Sequence, residues 1–164
     1  MDTAAEMASA VLERSPGADV VLMAAAVADF RPVDVADRKI KKDGGVPEIR
    51  LEPTIDILGE LGRIRAAGQV LVGFAAETDD LRQNAAAKLQ AKGVDLIVAN
   101  DVSVPEVGFE HDTNAVVLLD AGGGAAEVPL CSKREVASAV LDAALHIHST
   151  NNAGTNRSPN GDET

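Results

Sequence analysis

Charged side chains stand at three places in this sequence where buried elements are expected to end. Asp29 directly follows a long apolar run, and a basic run, Lys-Ile-Lys-Lys at residues 39–42, comes shortly after it. Lys88 and Lys92 lie four residues apart in a helical pattern, so they project from one face of that helix. A carboxylate at a strand end suits ribose hydroxyls or the exocyclic amine of a base. Lysines in a loop above a cleft suit the neutralisation of phosphate charge.

Each of these features also has a purely structural interpretation, and the spacing alone leaves both open. Asp29 at such a position also caps a turn or pairs with Arg31. Basic runs are usually solvated surface, although the two glycines at 44–45 would let this one fold over a cleft. Lys88 and Lys92 are also favourably placed near a helix C-terminus, and their spacing slightly favours that interpretation.

The elements that must position these residues alternate between buried strands and amphipathic helices. Continuous apolar runs predict strands at 20–27, 69–76 and 94–100, and helical periodicity predicts helices at 3–14, 54–67 and 80–92, the last with Gly93 at its C′ position. This alternation predicts an α/β fold with a doubly wound, Rossmann-like and mostly parallel sheet.

Two regions depart from that alternation. Residues 36–53 form a charged, Gly-rich excursion that reads as a flap with a short strand at 48–51. Segments 114–119 and 126–130 flank a Gly-rich turn and predict a C-terminal β-hairpin, which a closing helix at 132–146 follows. Residues 149–164 are almost devoid of apolar side chains and predict a disordered tail, so the folded domain is expected at 1–148.

Composition excludes several classes of function. With 15 basic and 26 acidic residues the net charge is −11, which gives no general affinity for nucleic acid or an anionic membrane surface. The one cysteine fits a reducing compartment, and the longest apolar run, 20–28, is too short for a bilayer. No basic region precedes the first helix, so no secretory signal is expected. These features favour a cytoplasmic domain that acts on a small molecule.

Five segments in order carry a family resemblance. They are Ala-Ala-Ala-Val-Ala-Asp-Phe-Arg-Pro at 24–32, Lys-Ile-Lys-Lys at 39–42, Thr-Ile-Asp-Ile-Leu at 54–58, Val-Gly-Phe-Ala-Ala-Glu-Thr at 72–78 and Ala-Asn-Asp-Val at 99–102. In order and spacing they resemble bacterial phosphopantothenoylcysteine synthetase. The resemblance implies a ligase that joins 4′-phosphopantothenate to L-cysteine in coenzyme A biosynthesis, using CTP with Mg²⁺ through an acyl-cytidylate. It also implies a homodimer, and FMN only where a phosphopantothenoylcysteine decarboxylase is attached upstream or associated.

The resemblance implies a role for twelve residues of this sequence. Lys39 matches the catalytic flap lysine, and no metal ligand is assigned. The residues that match CTP contacts are Met23, Ala24, Ala25, Asp29, Lys39, Ile55, Asp56, Ile57, Leu58, Phe74, Lys88 and Lys92. Ile55 departs from the family pattern, in which a proline is more usual.

One further departure concerns the N-terminal side. Family members carry a Gly-rich strand-to-helix segment and an Arg-x-Ile-x-Asn-type motif ahead of the matched region, and neither is found in this sequence. The expectation is therefore a partial synthetase domain without the first βαβ portion. The alternative is a catalytically inactive fragment that retains CTP binding and dimerisation, with the 48–51 strand and the hairpin pairing across a two-fold axis.

Overall fold

A mixed β-sheet with helices on both faces organises the chain. The computed structural model describes residues 2–36, 38–41, 45–102 and 112–155. The helices are α1 (Ala4–Arg14), α2 (Ile57–Ile64), α3 (Leu81–Lys92) and α4 (Lys133–Thr155), with a 3₁₀ turn at Ser15–Gly17. The strands are β1 (Val20–Met23), β2 (Phe30–Pro32), β3 (Leu51–Pro53), β4 (Val70–Glu77), β5 (Leu96–Asp101), β6 (Thr113–Asp120) and β7 (Ala125–Ser132).

The main sheet has the strand order β1-β4-β5-β6-β7. Strands β1, β4 and β5 are parallel, whereas β6 and β7 are antiparallel and form the hairpin. Leu71 of β4 packs with helices α1, α2 and α3, while Val70 and Val72 face the other way, towards α4. This alternation gives a core on each side of the sheet. The α/β fold predicted from the sequence is confirmed, including its parallel centre and its C-terminal hairpin and helix.

The helices around the site begin and end at residues suited to those positions. Asp56 is the N-cap of α2, where its side chain accepts a hydrogen bond from the Gly59 N–H at 3.0 Å. The helix predicted at 54–67 therefore begins only at Ile57, because Thr54 to Asp56 form the loop that leads into it. Helix α3 ends at Gly93, which has φ +61°.

Strand β1 is shorter than predicted. Its pairing with β4 stops at Met23, and residues 24–28 continue as a loop rather than as a strand. The prediction that this strand is buried on both faces is also wrong. Within the described residues β1 is an edge strand, and Leu22 is 39% exposed. A mainly apolar groove of about 620 Å³ runs along it against α1.

The flap region carries a separate two-stranded ribbon. Strand β2 pairs antiparallel with β3, with Phe30 opposite Pro53, and Arg31 forms a 2.7 Å ion pair with Glu52. The strand predicted at 48–51 is shifted, because this cross-strand register places regular pairing at Leu51–Pro53.

Helix α4 extends past the boundary predicted for the folded domain. It continues to Thr155, so the prediction of a disordered tail is wrong for residues 149–155. Side-chain contacts explain the extension: the His148 Nδ1 atom lies 3.3 Å from the Gly68 carbonyl oxygen, and Asn152 contacts His148 Nε2 at 3.0 Å. Residues 156–164 lie outside the described residues. None of the described helices, α4 included, combines the length and apolarity needed to cross a membrane.

Candidate functional site

A cavity of about 250 Å³ opens beyond the end of β1, against β4 and the helices α2 and α3. Ten of the twelve residues that the resemblance implies lie in its lining. Those ten are Met23, Ala25, Asp29, Ile55, Asp56, Ile57, Leu58, Phe74, Lys88 and Lys92. Residues from 23 to 92 therefore converge on one place because parallel strands end at the same edge of the sheet.

The floor of the cavity is a row of residues across three strands. Met23 of β1 is opposite Gly73 of β4, and Gly73 is opposite Ile97 of β5. A Cβ atom on Gly73 would lie 2.6 Å from the Leu58 Cδ2 atom and 2.9 Å from the Ile97 Cδ1 atom. The missing side chain at Gly73 therefore lets Leu58, in the first turn of α2, lie directly on the sheet.

The loop at 54–58 is tied to α3 by an ion pair. Lys92 Nζ lies 2.5 Å from the Asp56 Oδ2 atom, although the two residues are 36 positions apart. Partial burial raises the pKa of Asp56, but the hydrogen bonds from Lys92 and the Gly59 N–H outweigh it and hold that pKa below its ordinary value. Asp56 is thus ionised at neutral pH and balances one lysine of the cavity.

A close approach between backbones allows this pairing. Helix α2 crosses the C-terminal end of α3 at Gly62, where an added Cβ atom would lie 2.0 Å from the Lys92 carbonyl oxygen. Only glycine fits this contact without movement of a helix. The contact holds α2 close to the end of α3, from which the Lys92 side chain reaches Asp56 at the other end of α2.

The second lysine of the cavity is also paired. Lys88 Nζ lies 2.7 Å from the Glu77 Oε1 atom, and the Glu77 side chain is 13% exposed. Asn84, one helical turn before Lys88, donates to the other Glu77 oxygen at 3.3 Å. Glu77 therefore fixes the corner between β4 and α3 and holds the Lys88 ammonium at the rim of the cavity.

Asp29 is an exposed carboxylate in the cavity lining, and the described residues show no ion pair for it. Arg31, the partner that the sequence left open for it, pairs with Glu52 instead. Two implied residues lie outside the lining: Ala24, in the loop between lining residues, and Lys39, which is exposed. Lys42, the last residue of the basic run, lies outside the described residues.

The structure adds lining residues that sequence reasoning did not assign to the site. They are Val27, Ala28, Thr54 and Ile97. Val27, Ala28 and Thr54 lie inside motifs that carried the resemblance, so their nearness in sequence to assigned residues was the signal that could have placed them in the site. Ile97 gave none, because it reads as an ordinary core residue of a buried strand.

No cluster of three or more His, Cys, Asp or Glu side chains in the described part of the chain could hold a metal ion unaided. Mg²⁺, however, typically binds through one or two carboxylates together with substrate phosphates. Asp29 offers one such carboxylate in the cavity. The donor set thus fits a magnesium ion that arrives with a phosphorylated ligand.

Comparisons with known proteins agree on one family. Residues 1–147 match the family described as the DNA/pantothenate metabolism flavoprotein C-terminal domain. Over 141 residues the chain is 46% identical to the coenzyme A biosynthesis bifunctional protein CoaBC of Bacillus subtilis, covering 86% of this chain and 34% of that protein. It is 43% identical over 139 residues to a cysteine/cysteine sulfinic acid decarboxylase from an unknown prokaryotic organism, covering 85% and 39%.

A crystal structure of the C-terminal domain of a CoaBC protein has the same fold. The TM-score is 0.71 at 35% identity, over 92% of this chain and 63% of that one. The chain thus spans little more than a third of the curated relatives named above.

Proposed function

The chain belongs to the DNA/pantothenate metabolism flavoprotein C-terminal domain family, and from this membership we propose that it is a phosphopantothenate–cysteine ligase of coenzyme A biosynthesis. The reaction joins 4′-phosphopantothenate to L-cysteine with CTP as the activating nucleotide. Because the chain spans only part of its relatives, this activity is proposed for the domain to which the chain corresponds.

The observation that carries the proposal is the convergence of the implied nucleotide contacts on one cavity. A carboxylate (Asp29), an aromatic ring (Phe74), the loop at 54–58 and two lysines (Lys88 and Lys92) line it together. A base and a ribose find apolar surface and hydrogen-bonding groups there, and the lysines attract phosphates. This combination supports a nucleoside triphosphate as the ligand.

The chemistry follows from the weak electrophilicity of a carboxylate. The phosphopantothenate carboxylate attacks the α-phosphorus of CTP, forming a P–O bond, and the α–β phosphoanhydride bond breaks to release pyrophosphate. The cysteine amine then attacks the acyl carbon, loses a proton, and expels CMP. The residues of this chain bind and orient the nucleotide, and lysines stabilise the charge that develops at the phosphates.

Within this scheme Asp29 and the 54–58 loop select the nucleotide, and Lys39 is assigned to the developing phosphate charge. Where a magnesium ion arrives with the triphosphate, the Asp29 carboxylate in the cavity lining would hold it, and the ion would neutralise part of the phosphate charge. Lys88 and Lys92 are held by Glu77 and Asp56 when no ligand is present. A triphosphate carries more negative charge than these carboxylates, so its oxygens bind the two ammonium groups more strongly.

A second candidate function is nucleotide binding without turnover. It is favoured by the position of Lys39, which lies outside the lining while the implied base and ribose contacts lie inside it. Such a chain would bind CTP and associate with a partner copy but would form no product.

One experiment separates these functions. The chain is incubated with CTP, Mg²⁺, 4′-phosphopantothenate and cysteine, and CMP, pyrophosphate and the amide product are measured by mass spectrometry, with CTP binding measured by calorimetry. The ligase proposal expects all three products and weaker activity with ATP. Binding without products supports the second function, and the absence of CTP binding refutes both.

A matched pair of variants sharpens this experiment. Asp29→Asn removes a charge in the cavity, and Asp142→Asn makes the same change at an exposed position of α4, on the opposite face of the sheet. Loss of a charged hydrogen-bonding group is expected to weaken CTP binding about 10- to 100-fold for Asp29→Asn. Asp142→Asn should bind CTP like the unaltered chain.

Dimerisation is proposed separately, on the surface of the ribbon region. Seven large apolar side chains between residues 30 and 51 are exposed: Phe30, Val33, Val35, Ile40, Val46, Ile49 and Leu51. Apolar residues concentrated in one segment are typical of an interface. Sedimentation at micromolar concentration should show a dimer, and Ile49→Lys together with Leu51→Lys should shift it to a monomer. If the unsubstituted chain sedimented as a monomer, the proposed dimer would be refuted.

A further inference from the structure

Two loops face each other across the mouth of the cavity. The first, residues 24–29, leaves the end of β1 and carries Asp29, and the second, residues 54–58, leads from β3 into α2. The β2–β3 ribbon joins the two loops at their base, where Phe30 pairs with Pro53, and no regular strand pairing extends beyond that pair towards the cavity. The separation of the two loops at the cavity determines how a ligand fits between Asp29 and the residues 55–58.

Thr54 connects the two loops through two hydrogen bonds. Its backbone N–H donates to the Asp29 carbonyl oxygen at 2.9 Å, and its Oγ1 hydroxyl donates to the Ala28 carbonyl oxygen at 2.5 Å. One residue thus holds two successive carbonyl groups of the first loop. Because the peptide planes on both sides of the Asp29 Cα atom are constrained, the direction in which the Asp29 side chain leaves the backbone is constrained too.

The location of Thr54 makes this connection relevant to ligand binding. The residue lines the cavity and is followed directly by Ile55 and Asp56 of the second loop. It also lines the larger groove of about 910 Å³ that lies between α1 and the β2–β3 ribbon. A change in the position of Thr54 therefore moves both loops relative to each other.

We propose that Thr54 is a positioning residue that latches the Asp29 loop to the 54–58 loop and thereby sets the affinity and base selectivity of the cavity. The selectivity part rests on the proposed function, because it takes the ligand to be a nucleotide. The latch itself is a property of the chain without ligand. The two parts are therefore measured separately.

Three variants test the latch. Thr54→Val keeps the size, the β-branch and the backbone N–H but removes the hydroxyl, whereas Thr54→Ser keeps the hydroxyl. Thr150→Val is the matched control, because the Thr150 hydroxyl also donates to a backbone carbonyl, that of Ile147 at 2.8 Å, within α4 and away from the cavity. A change shared by both valine variants would reflect the general effect of removing such a hydroxyl.

The first measurement is hydrogen exchange at the amide of residue 54 without ligand. A net hydrogen bond of the usual strength predicts roughly 2- to 12-fold faster exchange in Thr54→Val, near-normal exchange in Thr54→Ser and no change in Thr150→Val. The second is the dissociation constant for CTP and for ATP. Thr54→Val should weaken CTP binding by a similar factor and lower the preference for CTP over ATP, and Thr54→Ser should restore both.

The outcomes distinguish the latch from the proposed function. Unchanged exchange in Thr54→Val refutes the latch, whatever the nucleotide results are. Faster exchange with unchanged CTP affinity and selectivity refutes the role in recognition while the proposed function stands. Faster exchange in a chain that binds no nucleotide refutes the proposed function and, with it, the selectivity part, and leaves Thr54 as a positioning residue of the two loops alone.

Discussion

Substitution of Gly62 by alanine tests the helix contact on which the cavity depends. The added Cβ atom would lie 2.0 Å from the Lys92 carbonyl oxygen, 3.1 Å from the Lys92 carbonyl carbon and 3.4 Å from the Gly93 carbonyl oxygen. All three are backbone atoms, so no rotamer change relieves the clash. Since real Cβ contacts essentially never fall under 3.0 Å, the ends of α2 and α3 must separate by roughly 1 Å.

Two opposing effects determine how much the free energy of unfolding falls in Gly62→Ala. Alanine is favoured over glycine in a helix interior by about 1 kcal/mol. Overpacking against a rigid neighbour costs typically about 1–3 kcal/mol, and a backbone clash belongs at the upper end. The net expectation is a loss of about 2 kcal/mol in the free energy of unfolding. For a chain of this size that corresponds to a fall in Tm of roughly 4–8 °C.

Urea denaturation of Gly62→Ala, with Gly17→Ala as the control, measures this loss. No heavy atom lies within 4 Å of a Cβ atom built on Gly17. The separation should also move Asp56 away from Lys92, so the thermal stabilisation by CTP should shrink in Gly62→Ala and not in the control. If Gly62→Ala were as stable as the unaltered chain, or gained the stability of a better helix former, the close contact between α2 and α3 would be refuted.

Three further perturbations probe other parts of the structure. Asp95→Ala should lower the free energy of unfolding, measured by chemical denaturation, by about 3 kcal/mol, because the buried Asp95 carboxylate accepts from the Leu71 N–H at 2.8 Å and pairs with Arg65 at 2.5 Å. The control is Asp34→Ala at an exposed ion pair, for which a loss under about 0.5 kcal/mol is expected; a loss that small in Asp95→Ala would contradict the role of the buried pair. Because the pKa of Asp56 is lowered in the folded chain, Asp56 stabilises the fold at a pH above its unfolded pKa, and this stabilisation is lost as the pH falls through its folded pKa. Urea midpoints measured between about pH 2 and 6 should therefore fall less steeply below about pH 4 in Asp56→Asn than in the unaltered chain. Parallel curves for the two chains would argue against the Lys92 pairing. Lys39→Gln should lower turnover about 10²–10³-fold with Tm unchanged and CTP binding still measurable, and normal turnover would identify the basic run as solvated surface.

The buried elements were predictable because their burial is encoded locally. The apolar runs of β4 and β5 and the two halves of the hairpin lie where the sequence predicted them, and the doubly wound fold is confirmed. The end of β1 was not predictable, because residues 24–28 are as apolar as the strand before them. Whether such residues pair depends on the neighbouring strand, and pairing with β4 stops at Met23.

The composition of the cavity was predictable only in part. The position of Asp29 after an apolar run indicated a site, and the family resemblance, confirmed by the match over residues 1–147, brought in the 54–58 loop and the two lysines. The partners of those lysines were not predictable. The pairing of Lys92 with Asp56 requires the approach of two helices at Gly62, which no local pattern records.

The edge position of β1 has a consequence for how the chain behaves at high concentration. Within the described residues, the side of β1 away from β4 has no strand partner, and the apolar groove beside it adds surface for the side chains of a further extended segment, whether from this protein or from another molecule. Pairing of two β1 edges across a two-fold axis closes after two copies, whereas pairing of β1 with the β7 edge of another copy leaves one edge open at each end and continues. Because the loop that carries Asp29 begins where β1 ends, a segment added along this edge would end next to that loop.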